Sequence, residues 1–112
     1  MTEEGHQKAL AQWLDLRGLN WFHPPNGGQR NAIVAAKLKA QGVKAGVPDV
    51  IITSRIPSRP DVRGVALELK TPRGTLRQAQ RDWLDALEQD GWVCLVGYGW
   101  KDAVEQIKKA GL

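Results

Sequence analysis

Glu68-Leu69-Lys70 sets a carboxylate and an amine two positions apart in the chain. Side chains alternate along a β-strand, so on a strand these two share one face and Leu69 takes the other. Alone, such a tripeptide reads as an ion pair on a solvated strand. Asp49 adds weight to it, because it opens an earlier β-branched run directly after Gly46-Val47-Pro48. If the two runs pair antiparallel, the start of the first lies beside the end of the second, and Asp49 approaches Glu68 across the ladder. Two adjacent carboxylates repel and lose solvation unless something neutralises them, and a divalent cation with oxygen ligands does so. Lys70 is near enough to contact an anion such as a phosphate oxygen. The alternative is that Asp49 caps a turn after Pro48; the combination with Glu68-x-Lys70 favours the metal site.

Two further polar residues fall at informative offsets. Gln80 precedes Trp83, Leu84 and Leu87 by three, four and seven residues, the spacing of a core-facing helical stripe. A glutamine there needs a hydrogen-bonding partner, or it lies harmlessly at the stripe's edge. Glu3 holds the matching place on an N-terminal helix, reached by extending the Leu10–Leu14 stripe back through Gln7, whereas Glu4 points elsewhere. Glu3 can equally serve to offset that helix's dipole.

The elements that carry these residues are legible. A first helix is expected from Thr2 to Arg17, stopped by Gly18. Trp21-Phe22-His23 reads as a short strand, ended by the Pro24-Pro25-Asn26-Gly27-Gly28 loop. Arg30 to Gln41 is Ala-rich and free of Pro and Gly, so it reads as a helix closed by Gly42. Asp49 to Thr53 and Gly64 to Lys70 read as a strand pair joined by an Arg- and Pro-containing loop. Leu76 to Asp90 is an amphipathic helix with Ala79, Trp83, Leu84 and Leu87 on one face. Trp92 to Val96, apolar throughout, reads as a strand buried on both faces. Gly97-Tyr98-Gly99 turns, and Trp100 to Ala110 is a last helix. The order α-β-α-β-β-α-β-α specifies an α/β fold, a mixed sheet flanked by helices. With 112 residues and no repeat or linker, a single domain over 1–112 is expected.

Composition narrows the function classes. No stretch approaches 18 apolar residues, so no membrane span is expected. The acidic start Met1-Thr2-Glu3-Glu4 has no apolar core of a signal peptide, so a cytoplasmic location is expected. The one cysteine, Cys94, excludes an internal disulfide and a paired-cysteine zinc site, and it reads as buried and inert. Net charge is +4, but Arg17 to Arg81 carries +9 while the two ends carry −2 and −3. That concentration fits either a solvated basic face or a polyanion-binding surface. His6 reads as a surface helix residue and His23 as the end of a strand, both poor catalytic candidates. Trp13, Trp83 and Trp92 fit core positions; Trp21 and Trp100 fit core, partner-facing or base-stacking positions.

With these residues in hand, the sequence resembles the VRR-NUC domain, a branch of the PD-(D/E)XK nuclease superfamily. The motifs that carry the resemblance are Gly46-Val47-Pro48-Asp49, Leu67-Glu68-Leu69-Lys70 and Gln80-x-x-Trp83-Leu84, with Glu3-x-x-x-Gln7 on the first helix. Pro25-Asn26-Gly27-Gly28 with the following Ala-rich helix is similar to small stand-alone phage and prophage members. The resemblance implies a restriction-endonuclease-like core and a Mg²⁺- or Mn²⁺-dependent DNA endonuclease, encoded by a phage or prophage and acting in a bacterial host. It implies Asp49 and Glu68 as metal ligands with the Leu69 carbonyl, Lys70 as the catalytic lysine, Glu3 as the helical acid and Gln80 as the helical glutamine. His6 departs from the acidic residue common just before the glutamine, which leaves open whether Glu3, Glu4 or neither reaches the metal.

On this reading DNA phosphates meet the basic middle of the chain, with Arg30, Lys37, Lys39, Lys44, Arg73 and Arg77 as contacts. Arg55, Arg59, Arg63 and Arg81 are further candidates. Small relatives tend to be homodimers, some preferring branched DNA such as four-way (Holliday) junctions, so a homodimer cutting branched or duplex DNA is expected. The alternatives are a non-catalytic DNA-binding module on the nuclease fold and a sequence-specific restriction-type endonuclease. A structural protein whose basic stretch is only a solvated face is a third, and it predicts neither metal binding nor DNA affinity.

Overall fold

The computed structural model describes residues 1–25 and 31–112. The Asn26-Gly27-Gly28 turn and Arg30 lie outside the described residues. The elements are α1 (Glu3–Leu16), β1 (Trp21–Phe22), α2 (Ala32–Ala40), β2 (Val50–Ile52), β3 (Val65–Lys70), α3 (Gln78–Gln89), β4 (Val93–Tyr98) and α4 (Trp100–Lys109). The expected order of elements is the observed one. Thr2 caps α1 by accepting from the Gly5 amide at 3.0 Å, and Asn31 caps α2 by accepting from Val34 at 2.8 Å.

The four strands form one sheet in the order β1-β2-β3-β4. β1 and β2 are antiparallel, as are β2 and β3, with Val50 opposite Leu67. β3 and β4 are parallel, joined through α3, with Glu68 opposite Val96 and Lys70 opposite Tyr98. Leu10 and Leu14 of α1, Val65, Leu67 and Leu69 of β3, and Ala103, Val104 and Ile107 of α4 form one buried cluster. Each large aliphatic side chain so buried contributes about 1.5–3 kcal/mol. Alternation turns Glu68 and Lys70 away from that cluster.

Several expectations are corrected. β4 is an edge strand, so its apolar run from Val93 to Val96 is half-buried rather than enclosed on both faces. Gly97 and Tyr98 belong to β4, not to a turn. The α3 helix begins at Gln78 rather than Leu76, and Ala79 is exposed. Trp83 and Trp92 are half-buried outside the central cluster, whereas Trp13, Trp21 and Trp100 pack against it. Cys94 is half-buried; burial, with Glu88 and Asp85 nearby, raises its thiol to about 11, so it stays protonated.

Candidate active site

The connection from α2 into β2 is held tightly. Gly46 has φ +83, and a Cβ there would lie 2.8 Å from the backbone carbon of Ala79 on α3. Only glycine allows both the left-handed backbone and this approach. Pro48 is fully buried next to it. Asp49 is thereby set at the mouth of β2, where its Oδ2 accepts from the Leu69 amide at 2.8 Å. The bond ties the start of β2 to the end of β3.

Glu68 is 2% exposed. Its Oε1 accepts from Gln80 Nε2 at 2.9 Å, and Gln80 Oε1 accepts from the Arg77 amide at 2.9 Å. Gln80 thus spans the first turn of α3 and β3, and both ends of its amide are engaged. Glu68 Oε2 is buried with no hydrogen-bond partner among the described residues. Lys70, also buried, brings Nζ to 3.8 Å from Glu68 Oε1, an ion pair beyond hydrogen-bond reach. Burial raises the Glu68 carboxyl from its ordinary value to about 8. The charge of Asp49 and hydrogen bonding with it push the same way, Lys70 pulls part of the way back, and Glu3 adds a last push upward.

These groups line a cavity of about 300 Å³ formed by Glu3, Glu4, His6, Gln7, His23, Asp49, Glu68, Leu69, Lys70, Arg77 and Gln80. The starts of α1 and α3 meet the end of β3 there. The structure therefore gathers the motif residues Asp49, Glu68, Leu69, Lys70 and Gln80, and it adds Arg77, expected as a DNA contact, to the same cavity lining. Glu3 is exposed at the rim. Glu4 also borders the cavity and pairs with Lys8 at 3.0 Å. Lys37, Lys39, Lys44 and Arg73 are exposed and lie outside the cavity lining.

His6 departs from the surface position expected of it. The buried stripe of α1 runs Leu14, Leu10 and then His6, four residues back each time, not through Gln7 to Glu3. His6 is buried, and its Nδ1 accepts from the Trp100 amide at 3.0 Å. His23 is exposed on the cavity wall, where its Nδ1 donates to the Asp49 carbonyl at 2.6 Å. Strict i, i+4 counting from Leu10 would have found His6; no local signal marks His23.

The donor set suits a hard cation. It offers the unpartnered Glu68 Oε2, the remaining oxygen of Asp49 and the Leu69 carbonyl, all oxygen. Among the described residues no group of three or more His, Cys, Asp or Glu side chains is placed to hold a metal ion. Two carboxylates completed by water fit Mg²⁺, which keeps several waters, better than Ca²⁺.

Residues 1–99 match the family model described as the VRR-NUC domain. Among solved structures, a chain described as a VRR_NUC domain protein superimposes with a TM-score of 0.81. It is 24% identical, over 98% of this chain and 88% of its own; at that identity the likeness speaks to the fold, which is the restriction-endonuclease-like α/β type. No curated protein matches. No helix among the described residues is long and apolar enough to cross a membrane.

Proposed function

The chain belongs to the VRR-NUC domain family, which makes it a nuclease-type, DNA-binding domain, and we propose that it is a metal-dependent endonuclease hydrolysing phosphodiester bonds of branched or duplex DNA. The observation that carries the reading is the buried, unpartnered Glu68 Oε2 beside Asp49, in one cavity with Lys70. Asp49, Glu68 and the Leu69 carbonyl would hold Mg²⁺ or Mn²⁺. When bound, such an ion supplies Lewis-acid polarisation of phosphate and water.

The chain's own side chains do the rest. Gln80 fixes the direction of the Glu68 carboxylate through Oε1. Lys70 orients the attacking water and offsets the negative charge that grows on the phosphoryl oxygens. Glu3 acts from the rim through solvent. Arg77 meets a phosphate at the cavity wall, and Lys37, Lys39, Lys44 and Arg73 hold the flanking backbone; Arg30 is a further candidate on sequence grounds. The test is incubation with supercoiled plasmid, linear duplex, single strand, splayed arm and four-way junction in Mg²⁺, Mn²⁺ or EDTA. Cutting that EDTA stops supports the reading, and the preferred substrate separates junction from duplex roles. Binding without cutting in either metal would leave a non-catalytic DNA-binding module.

DNA affinity on this reading is dominated by phosphate contacts. With these five basic side chains engaged, the dissociation constant weakens about 500-fold between about 50 and 200 mM salt. Fluorescence anisotropy across that range checks it, and a flat profile would remove the basic residues from the interface.

A homodimer is part of the proposal. Its support is α2, none of whose residues is buried, with Ile33 71% and Val34 40% exposed. An uncovered apolar helix is a surface that a second copy can cover. Sedimentation velocity is expected to give a dimer for the wild type and a monomer for Ile33→Glu/Val34→Glu. A monomeric wild type at micromolar concentration would refute the dimer.

A further inference from the structure

His6 sits one turn before Leu10 on the buried face of α1. Its Nδ1 accepts from the backbone amide of Trp100, the first residue of α4, at 3.0 Å. Gly99, which precedes α4, offers no side chain for that purpose. An amide N–H can only donate, so Nδ1 must present its lone pair, and the ring proton resides on Nε2. The ring is therefore held in one orientation by a bond between two helices remote in sequence.

Nε2 has no partner among the described residues. It is not sealed in the core either, because the one buried, unpartnered side-chain nitrogen or oxygen among the described residues is Glu68 Oε2. The ring lines the cavity that also holds Asp49, Glu68, Lys70 and Arg77. We infer that His6 is a substrate-contacting residue, its Nε2–H donating to a non-bridging oxygen of the DNA phosphate that Lys70 meets in the cavity. The inference rests on the nuclease reading for the identity of the ligand. A fixed donor suits this place, because it adds a directed hydrogen bond to the phosphate. Its direction is set in advance by the Trp100 bond, so little freedom is lost when substrate enters.

Two substitutions separate this role from simple capping of α4. In His6→Asn the amide oxygen stands where Nδ1 stands, keeping the Trp100 bond and removing the cavity donor. In His6→Gln the amide nitrogen stands where Nε2 stands, keeping the donor and giving up the cap. The full chain labelled with ¹⁵N-histidine is titrated with a duplex oligonucleotide in Ca²⁺ while the imidazole nitrogens are followed by NMR. Duplex affinity, cleavage in Mg²⁺ and melting are measured for each variant.

The wild type is expected to show one ring protonated on Nε2 with Nδ1 bare, and that Nε2–H signal shifts as DNA saturates. His6→Asn is expected to lose about tenfold to a hundredfold in duplex affinity or cleavage rate at an unchanged melting temperature. His6→Gln stays within about threefold in affinity but melts lower by about 4 °C, having lost a cap. An Nε2 signal indifferent to saturating DNA overturns the inference, as does a His6→Asn protein that binds and cleaves like wild type. A wild type that never cleaves yet shifts at Nε2 sinks the hydrolysis reading and keeps the His6 contact.

Discussion

Lys70→Ala is expected to slow metal-dependent DNA cleavage about 10³-fold, the scale of losing one preorganised charge at a reacting centre. The reason lies in how little of the lysine the fold uses. Lys70 is buried, yet among the described residues its Nζ makes only a 3.8 Å contact to Glu68 Oε1. The ammonium reaches the cavity with no hydrogen bond to another described residue, so on the nuclease reading it is left for a substrate anion. Lys70 also pulls the Glu68 carboxyl down, so its removal weakens metal binding as well as chemistry. Assaying at saturating Mn²⁺ separates the two effects, and Lys70→Arg, which keeps the charge and misplaces it, should recover binding but little rate. Melting of Lys70→Ala should stay close to the wild type. A variant that cleaves within threefold of wild type would move the chemistry elsewhere, and one that unfolds would make the lysine structural.

Glu68→Gln is expected to act in opposite directions on stability and on metal binding. In the metal-free folded protein the Glu68 carboxyl titrates near 8, against an ordinary value of 4.5. Between those values the folded state holds a proton that the unfolded chain has released. Stability therefore falls as pH rises across that window: the contribution is complete below about 4.5 and lost as pH passes 8. Glutamine mimics the protonated acid and can still accept from Gln80. At pH 8 the metal-free variant should be more stable than wild type by on the order of 2 kcal/mol, a rise in melting temperature of roughly 8 °C. Its melting curve should be flat where the wild type declines.

On the metal-dependent reading the same substitution should weaken Mn²⁺ binding at least about 10²-fold, because it would remove a charged ligand from a site with few. Wild-type metal affinity should climb about tenfold per pH unit toward 8, since binding displaces the Glu68 proton. Calorimetry with Mn²⁺ at several pH values, beside metal-free melting in EDTA, reads both arms. Equal pH slopes in the two proteins would show that Glu68 is not the titrating group. Undiminished Mn²⁺ affinity in the variant would remove Glu68 from the ligand set.

The sequence alone determined the elements, their order and the half of the site that lies on them. Alternation along β3 placed Glu68 and Lys70 together, and the antiparallel pairing that brings Asp49 to their side followed from a strand–loop–strand pattern. The offset of Gln80 ahead of Trp83 and Leu84 announced a polar residue that needed a partner, which is Glu68. Gly46-Val47-Pro48 was legible as a break; that the break is a clamp against Ala79 was not.

What the tertiary structure decided is which elements meet. Periodicity within one element says which residues share a face and nothing about what that face touches. An apolar run reads the same on an edge strand as on a central one, so β4 was expected to be buried on both sides and is half-open. His23 reaches the cavity because β1 docks on β2, and His6 because α1 packs against α4 and meets an amide 94 residues away. Spacing marks His6 as buried but not what it meets, and marks His23 not at all, because the energy that joins these elements comes from burying Leu10, Leu14 and Ile107 against one another. The carboxylates and the lysine could be named from the chain; the walls that face them exist only once that core has closed.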